Sequence, residues 1–235
     1  MKYLDVGIPT YMRKEKLRRA VVSVDEARSR CSPVVVHLHV YFSSDVEMNE
    51  FKEDFGDREW IRPHLLHGDF RSSDFWNAHL EDMDADALCY LTDDIILDPD
   101  CLIKGWQALE DFNFDGVIGF NITNAKDGQP CKAAYGIVGK KFANRFPNRH
   151  VFCPEYACFY LDEELEKFST SISRFRFCES AKLRHYHPDF TGDKPDQTHT
   201  HHRRNKFHDV MVHNMRVKRG YLWGKDFEIY DKEDG

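Results

Sequence analysis

From Tyr3 to Ile8 the chain is apolar and β-prone until Pro9-Thr10 interrupts it, which predicts a first strand ending in a loop. Between Lys14 and Arg30, Leu17, Ala20, Val21, Val24 and Ala27 recur at three- and four-residue steps, so a helix is expected with one buried face beneath a basic, solvated one. After Pro33, the run from Val34 to Phe42 is almost continuously β-forming, the pattern of a strand covered on both sides. His37 and His39 alternate with aliphatic residues in it and read as packed sheet residues, not ligands. Strand, helix and strand with a crossover of this length make a βαβ unit and hence a parallel sheet.

Further on, Met48 to His67 supports only a connecting helix and a weak strand near Trp60-Ile61. Gly68 to Ser73 offers a turn and a serine N-cap, followed by a helix with Phe75, Trp76, His79, Leu80 and Met83 on one face. The next strand, Ala87 to Leu91, runs into Asp93-Asp94 and returns to apolar residues at Ile95 to Leu97. Asp98-Pro99-Asp100 predicts an N-cap with proline at the first helical position, and Leu102, Ile103, Trp106 and Leu109 mark that helix's buried stripe. Gly116 to Asn121 is a strand. From Thr123 to Pro154 the pattern turns to loops around β-like pieces at Ala133 to Val138 and His150 to Phe152, a smaller mixed region shaping a pocket. A short helix opens at Asp162-Glu163, and Phe175 to Cys178 and Leu183 to Pro188 read as a strand and a strand end. The last helix, Thr198 to Arg219, places Phe207, Val210, Met211, Asn214 and Val217 on one face. The tail from Tyr221 is expected to dock and then fray.

Ligands of parallel sheets sit beyond the carboxyl ends of the strands, and Thr10 to Arg13, Ser43 to Asp45 and Asp93-Asp94 all occupy such positions. Two adjacent carboxylates at the end of a buried strand persist where a cation or hydrogen-bond donors compensate them. Mg²⁺ or Mn²⁺, held by one or two carboxylates and a substrate's phosphates, is one such cation; a helix cap is the plainer alternative. Asp162 and Glu163 form a second acidic cluster, favoured there by the helix dipole whatever their chemistry. His185 and His187, two apart on an extended segment, point to one face and suit a metal. A zinc site with Cys178 is conceivable, although no second cysteine stands at a ligand-like spacing. The basic residues of the last helix are either a solvated face or a contact for phosphates.

Composition narrows the field. A chain of 235 residues with 41% hydrophobic content supports one α/β domain with a real core. Its formal net charge of −7 argues against a general nucleic-acid or membrane-surface binder. Seven cysteines without a CxxC pair are expected as thiols in a reducing, cytoplasmic setting, and neither a signal peptide nor a membrane-spanning run is expected.

Taken together, these stretches resemble a family 2-type glycosyltransferase of the GT-A fold. Val6 to Arg13 is similar to that family's opening strand and loop, and Ser43-Ser44-Asp45 falls where it carries residues that meet the base and ribose. Gly68 with Trp76-Asn77 is similar to its glycine-to-asparagine stretch. Leu91-Thr92-Asp93-Asp94 resembles its metal-binding Asp-x-Asp strand end, with Thr92 where the first Asp of the commoner form stands. The resemblance implies a GT-A-like, Rossmann-type sandwich: a mostly parallel central sheet, helices on both faces and a small mixed acceptor-side region. As one domain over 1–235, it would comprise a nucleotide-sugar half (1–121), an acceptor-side half (122–197) and a basic C-terminal helix and tail (198–235). Also implied is a metal-dependent, inverting hexosyl or pentosyl transfer from a nucleotide-diphosphate sugar, a UDP-sugar first among donors. Pro9, Thr10, Tyr11, Arg13, Asp45 and Asp93 would bind the donor. Asp94 with His187 or His185 would hold Mn²⁺ or Mg²⁺, and Asp162 or Glu163 would be the base. The acceptor is open among protein, glycan, small molecule and nucleic acid, with no integral membrane association expected. Two rivals stand beside this reading. A nucleotidyltransferase normally has a glycine-rich loop after its first strand, and this chain has Pro9 to Arg13 there; a non-enzymatic nucleic-acid or metal binder would use the basic, His-rich last helix.

Overall fold

Strand β1 (Lys2–Thr10) and strand β2 (Val34–Phe42) pair in parallel from Lys2↔Val34 to Thr10↔Phe42, joined by helix α1 (Lys14–Ser29). This is the βαβ unit that the hydrophobic periodicity predicts. The computed structural model describes residues 1–66, 71–125, 128–129, 131–192 and 194–225, with backbone alone at 72, 189, 201 and 202. Gly68 and the tail beyond residue 225 lie outside the described residues.

Helix α2 (Asp45–Phe55) leads to β3 (Ile61–Leu65), parallel to β2, and α3 (Ser72–Asp82) leads to β4 (Ala87–Tyr90), parallel to β1. The remaining elements are β5 (Ile95–Leu97), α4 (Cys101–Glu110), β6 (Val117–Ile122), β7 (Gly136–Gly139), α5 (Lys140–Ala143), α6 (Leu161–Ser171), β8 (Phe175–His185), α7 (Pro188–Thr191) and α8 (Gln197–Arg219). One sheet holds all eight strands in the order β3-β2-β1-β4-β7-β6-β8-β5. Its first four strands are parallel; β7 runs antiparallel to β4 and β6, and β5 antiparallel to β8. In a flat sheet, the four strand spacings from β4 to β5 would take about 19 Å. The five steps from Tyr90 to Ile95 reach at most about 18 Å when fully extended. The sheet therefore curls, and the curl returns the end of β8 to the end of β4.

Alternation along the strands divides the core. Leu4, Val6 and Ile8 pack with Leu17, Val21, Val24 and Trp106 beneath α1 and α4. Leu88, Tyr90 and Val138 pack with Trp76, Leu80, Phe152, Leu161 and Phe168 beneath α3 and α6. Among the described residues no helix is long and apolar enough to cross a membrane.

Several local expectations shift. Arg71, not a serine, occupies the N-cap of α3, and α4 begins at Cys101 with Pro99 left outside the helix. His150 to Phe152 is not a strand; Asn77 clamps it by donating to the Phe152 carbonyl at 2.7 Å and accepting the Phe152 N–H at 3.0 Å. The two pieces around Cys178 and Leu183 are one eleven-residue strand, with a register irregularity between Phe120 and Asn121 of its partner β6.

Helix α8 departs most from its pattern. Phe207, Met211 and Val217 face solvent at 75%, 58% and 58% exposure, whereas Asp209 and Arg216 are buried. The neighbouring backbone explains the inversion. Approaching α6, the N–H groups of Ala157, Cys158 and Phe159 converge, and the Asp209 carboxylate accepts all three at 2.8 Å. Arg216 donates to both oxygens of buried Glu164, at 2.9 and 3.1 Å, and Tyr156 donates to the same carboxylate at 2.8 Å. Satisfying buried donors decides the docking face here, because an orphaned polar group costs more than an exposed methionine.

Replacing Asp209 by Ala therefore lowers unfolding stability by about 3 kcal/mol, since bonds to charged groups are worth roughly 1.5–3 kcal/mol and three buried donors lose their acceptor. Phe207→Ser changes it by less than about 0.5 kcal/mol, as expected for an exposed site. Urea denaturation of the two variants measures both.

Candidate active site

The turn between β4 and β5 carries Asp93 and Asp94, both buried. It is held at either side by the Leu91 N–H on the Gly7 carbonyl at 3.1 Å and the Tyr186 N–H on the Asp94 carbonyl at 2.8 Å. Arg13, from the loop after β1, donates Nη1 to Asp93 at 2.9 Å and to Asp94 at 3.2 Å. Its Nε and Nη2 donate to the two oxygens of Asp196 at 2.9 and 3.0 Å. One buried guanidinium thus serves three carboxylates from two distant parts of the chain. The Thr10 hydroxyl adds a 2.8 Å bond to Asp93.

The two aspartates differ chemically. Burial and the neighbouring Asp94 charge push the Asp93 carboxyl up, against the opposing pull of Arg13. For Asp94, burial works in the same upward direction, but His185, Arg13 and the Thr92 hydroxyl outweigh it and hold the group ionised. Thr92 donates to Asp94 Oδ1 at 2.7 Å, and His185 Nε2 stands 3.4 Å from that oxygen. His185 reaches it because β5 and β8 pair antiparallel with Ile95 opposite His185.

Asp94 and His185 open onto a cavity of about 510 Å³ that is also lined by Arg13, Asp162 and His187. These five were expected from sequence, and the fold brings them to one space. Asp93 is not in the cavity wall; it stands behind Arg13. Thr10 is buried against Asp93, Tyr11 is 37% exposed with its carbonyl taking the Thr198 hydroxyl at 2.6 Å, and Pro9 sits in β1 opposite Tyr41. Asp45, the exposed first residue of α2, does not line the cavity, nor does Glu163, which pairs with Lys167 at 2.6 Å. Adjacent residues of a helix point about 100° apart, so only one of Asp162 and Glu163 can face inward. Burial pushes the Asp162 carboxyl up from its ordinary value. Cys178 is also absent from the cavity, its thiol lying 3.4 Å from the Ser180 hydroxyl.

Two residues of the site, Tyr135 and His199, were not singled out from sequence. Tyr135 lies within reach of both Thr92 and His185, at 3.2 and 3.1 Å from its hydroxyl, and feels the charges of both Asp94 and Asp162. His199, at 2.9 Å from Arg13, stacks edge to face with His187. Arg203 and Lys206, two of the basic residues of the last helix offered as a phosphate contact, complete a cationic wall. They stand four and seven residues from His199 on one helix, and that spacing was the available signal for the histidine.

Asp94 and His185 suit a divalent cation. Their facing atoms are 3.4 Å apart, close to the roughly 3.0–3.4 Å between neighbouring ligands on an ion with bonds of about 2.1 Å. His187 lines the same cavity, but among the described residues it does not form with them a group of three ligand atoms lying within 4.8 Å of one another.

Removing Arg13 leaves two adjacent buried carboxylates without their cation. Arg13→Ala is expected to lose about 3–5 kcal/mol of stability at neutral pH. Equilibrium unfolding at pH 7 measures it; a loss below about 1 kcal/mol would show that another group compensates the pair.

No family model matches this chain, and no curated protein matches it. Solved structures of S. aureus TarS do. Residues 1–349 of TarS align over 80% of this chain and 61% of that one, with a TM-score of 0.59 and 12% identity. The same fragment in complex with UDP gives 78%, 59%, 0.61 and 11% in that order. In complex with UDP-GlcNAc it gives 83%, 62%, 0.61 and 10%. This chain spans about three fifths of that fragment's length. Identity this low speaks for the fold alone, and the fold is GT-A-like.

Proposed function

We propose that this chain is a nucleotide-sugar-dependent glycosyltransferase that moves a sugar from a nucleoside diphosphate, UDP foremost, to an acceptor hydroxyl with inversion and with the aid of Mn²⁺ or Mg²⁺. The observation that carries the reading is a single cavity at the carboxyl ends of the strands, in which a cation-ready Asp94–His185 pair, an Asp162 carboxylate and the basic groups Arg203 and Lys206 all meet. Supporting it, the aligned TarS fragment is known in complex with UDP and with UDP-GlcNAc.

Each residue has a task in such a transfer. A divalent ion, when bound by Asp94 and His185, supplies Lewis-acid stabilisation of the departing diphosphate. Arg203 and Lys206 add fixed positive charge on the same wall, where charge grows as the glycosidic bond breaks. Tyr135 orients His185 and, through Thr92, the Asp94 carboxylate. Asp162 takes the proton of the attacking hydroxyl, and its raised pKa brings its basicity closer to what abstraction near neutral pH requires. Arg13 stays engaged with its three carboxylates and shapes the floor. A reducing, cytoplasmic setting goes with this reading, since all seven cysteines are thiols and four are buried.

Two measurements test it. Mn²⁺ is expected to tighten UDP binding by isothermal titration calorimetry, and Asp94→Ala to abolish that gain while the far-ultraviolet circular dichroism is unchanged; an equal gain in the variant removes the metal role. Asp162→Asn is expected to leave UDP affinity intact and to cut sugar release from UDP-sugars, with water as surrogate acceptor, by about 10²–10⁴-fold. The acid limb of the wild-type pH–rate profile should lie above the ordinary aspartate value of about 3.9, because activity is lost as pH falls through the raised Asp162 pKa. Undiminished release in the variant places the base elsewhere.

A further inference from the structure

On the α3 face of the sheet, near the middle of β1 and β2, lies a second cluster of ligand-type side chains that the proposed transfer does not use. Asp5 comes from β1, His39 from β2 and His79 from the last turn of α3; all three are buried, at 5%, 5% and 8% exposure. Among the described residues, the ion-pair partners of the Asp5 carboxylate are histidines alone: His79 at 3.0 Å, His39 at 3.5 Å and His37 at 3.6 Å. Among the described residues no arginine or lysine is ion-paired with it. His39 Nε2 is buried and has no hydrogen-bond partner among the described residues.

We propose that Asp5, His39 and His79 form a binding site for a zinc-class divalent ion, separate from the cavity and serving to pin α3 to β1 and β2. One ligand atom from each residue lies within 4.8 Å of the others. Asp5 Oδ2 lies 3.0 Å from His79 Nε2 and Asp5 Oδ1 lies 3.5 Å from His39 Nε2, so each oxygen of the carboxylate faces one imidazole at a spacing near the edge of about 3.3 Å around a tetrahedral ion with bonds of about 2.0–2.1 Å. Both imidazoles also have the outer contacts a metal-bound histidine needs. His39 Nδ1 lies 2.9 Å from His64 Nε2, and His79 Nδ1 is hydrogen-bonded to the Tyr41 hydroxyl, so each ring keeps its Nε2 aimed at Asp5. Two nitrogens and one carboxylate favour zinc, cobalt or nickel over magnesium, the opposite of a site completed by diphosphate oxygens. A water takes the fourth position. The Arg62 charge is felt at His39 and opposes a cation here, so the three direct ligands have to outweigh it.

Cobalt reports on the proposal directly. Full-length protein stripped with a chelator and titrated with Co²⁺ alone is expected to develop visible d–d absorption at one equivalent, displaced by Zn²⁺ and insensitive to Mg²⁺. His39→Ala and His79→Gln should abolish the band, and Tyr41→Phe should weaken zinc affinity about tenfold through its outer-sphere bond. Asp94→Ala should retain it, which keeps this outcome distinct from any failure at the cavity. A band lost in Asp94→Ala and kept in His39→Ala, or no band at all, overturns the proposal. Should the histidine variants not fold, anomalous diffraction at the zinc edge from wild-type crystals decides it: a peak between Asp5, His39 and His79 supports the site, and its absence with zinc in excess rejects it.

Discussion

The Arg13 guanidinium is the hub on which the cavity depends. It is 8% exposed and joins Asp93, Asp94 and Asp196, which reside on the β4–β5 turn and at the N-cap of α8. Three carboxylates and one arginine would leave an excess of negative charge, and Lys16 at 3.1 Å from Asp196 and the Thr92 hydroxyl donating to Asp94 at 2.7 Å relieve it from either side. Asp196 does double duty, since its side chain also accepts the His199 N–H at 3.1 Å and closes the capping box that starts α8. The same charge network that compensates the paired aspartates therefore sets where the last helix begins. Breaking such a network by removing one member is costly because the remaining charges stay buried.

From that starting point α8 runs across α6 by polar contacts. Asp209 gathers the backbone of residues 157–159, of which Cys158 and Phe159 line the cavity near Asp162, and Arg216 bonds Glu164 in the first turn of α6. Position of the candidate base is thus tied to α8, and through Asp196 and Arg13 to the candidate metal ligands. A helix docked this way delivers Arg203 and Lys206 to the cavity wall while its apolar residues face out.

The chain holds two groupings of aspartate and histidine with different physical characters. Around Asp94, an arginine and a hydroxyl already accompany the carboxylate, and an open cavity leaves room for substrate oxygens. Around Asp5 the surroundings are closed and the partners are imidazoles. Burial would raise the Asp5 carboxyl, but the neighbouring His39 and His79 imidazoles overcome it and hold the group low. The strand ends thus carry an open cavity, and the middle of β1 and β2 carries a compact packed cluster.

Much of this was legible along the chain. Periodicity alone places β1, α1 and β2, with β2 bounded at Val34 and Phe42 as the β run predicts, because a covered parallel strand needs an unbroken apolar run. The paired aspartates at the end of an apolar strand announced a need for compensation, and Arg13 was already among the candidates in the loop beside them. Tertiary structure alone decided the rest. His185 meets Asp94 across ninety residues because the sheet curls and β5 pairs with β8, which no local pattern encodes. Asp162 and Glu163 are equivalent in sequence, and only the rotation of α6 turns one inward. His39 reads as a packing residue until α3 sets His79 beside it. In α8 an apolar stripe pointed to burial, but converging backbone donors and a buried glutamate claimed the opposite face, since their demand for partners arises only once the other elements are in place.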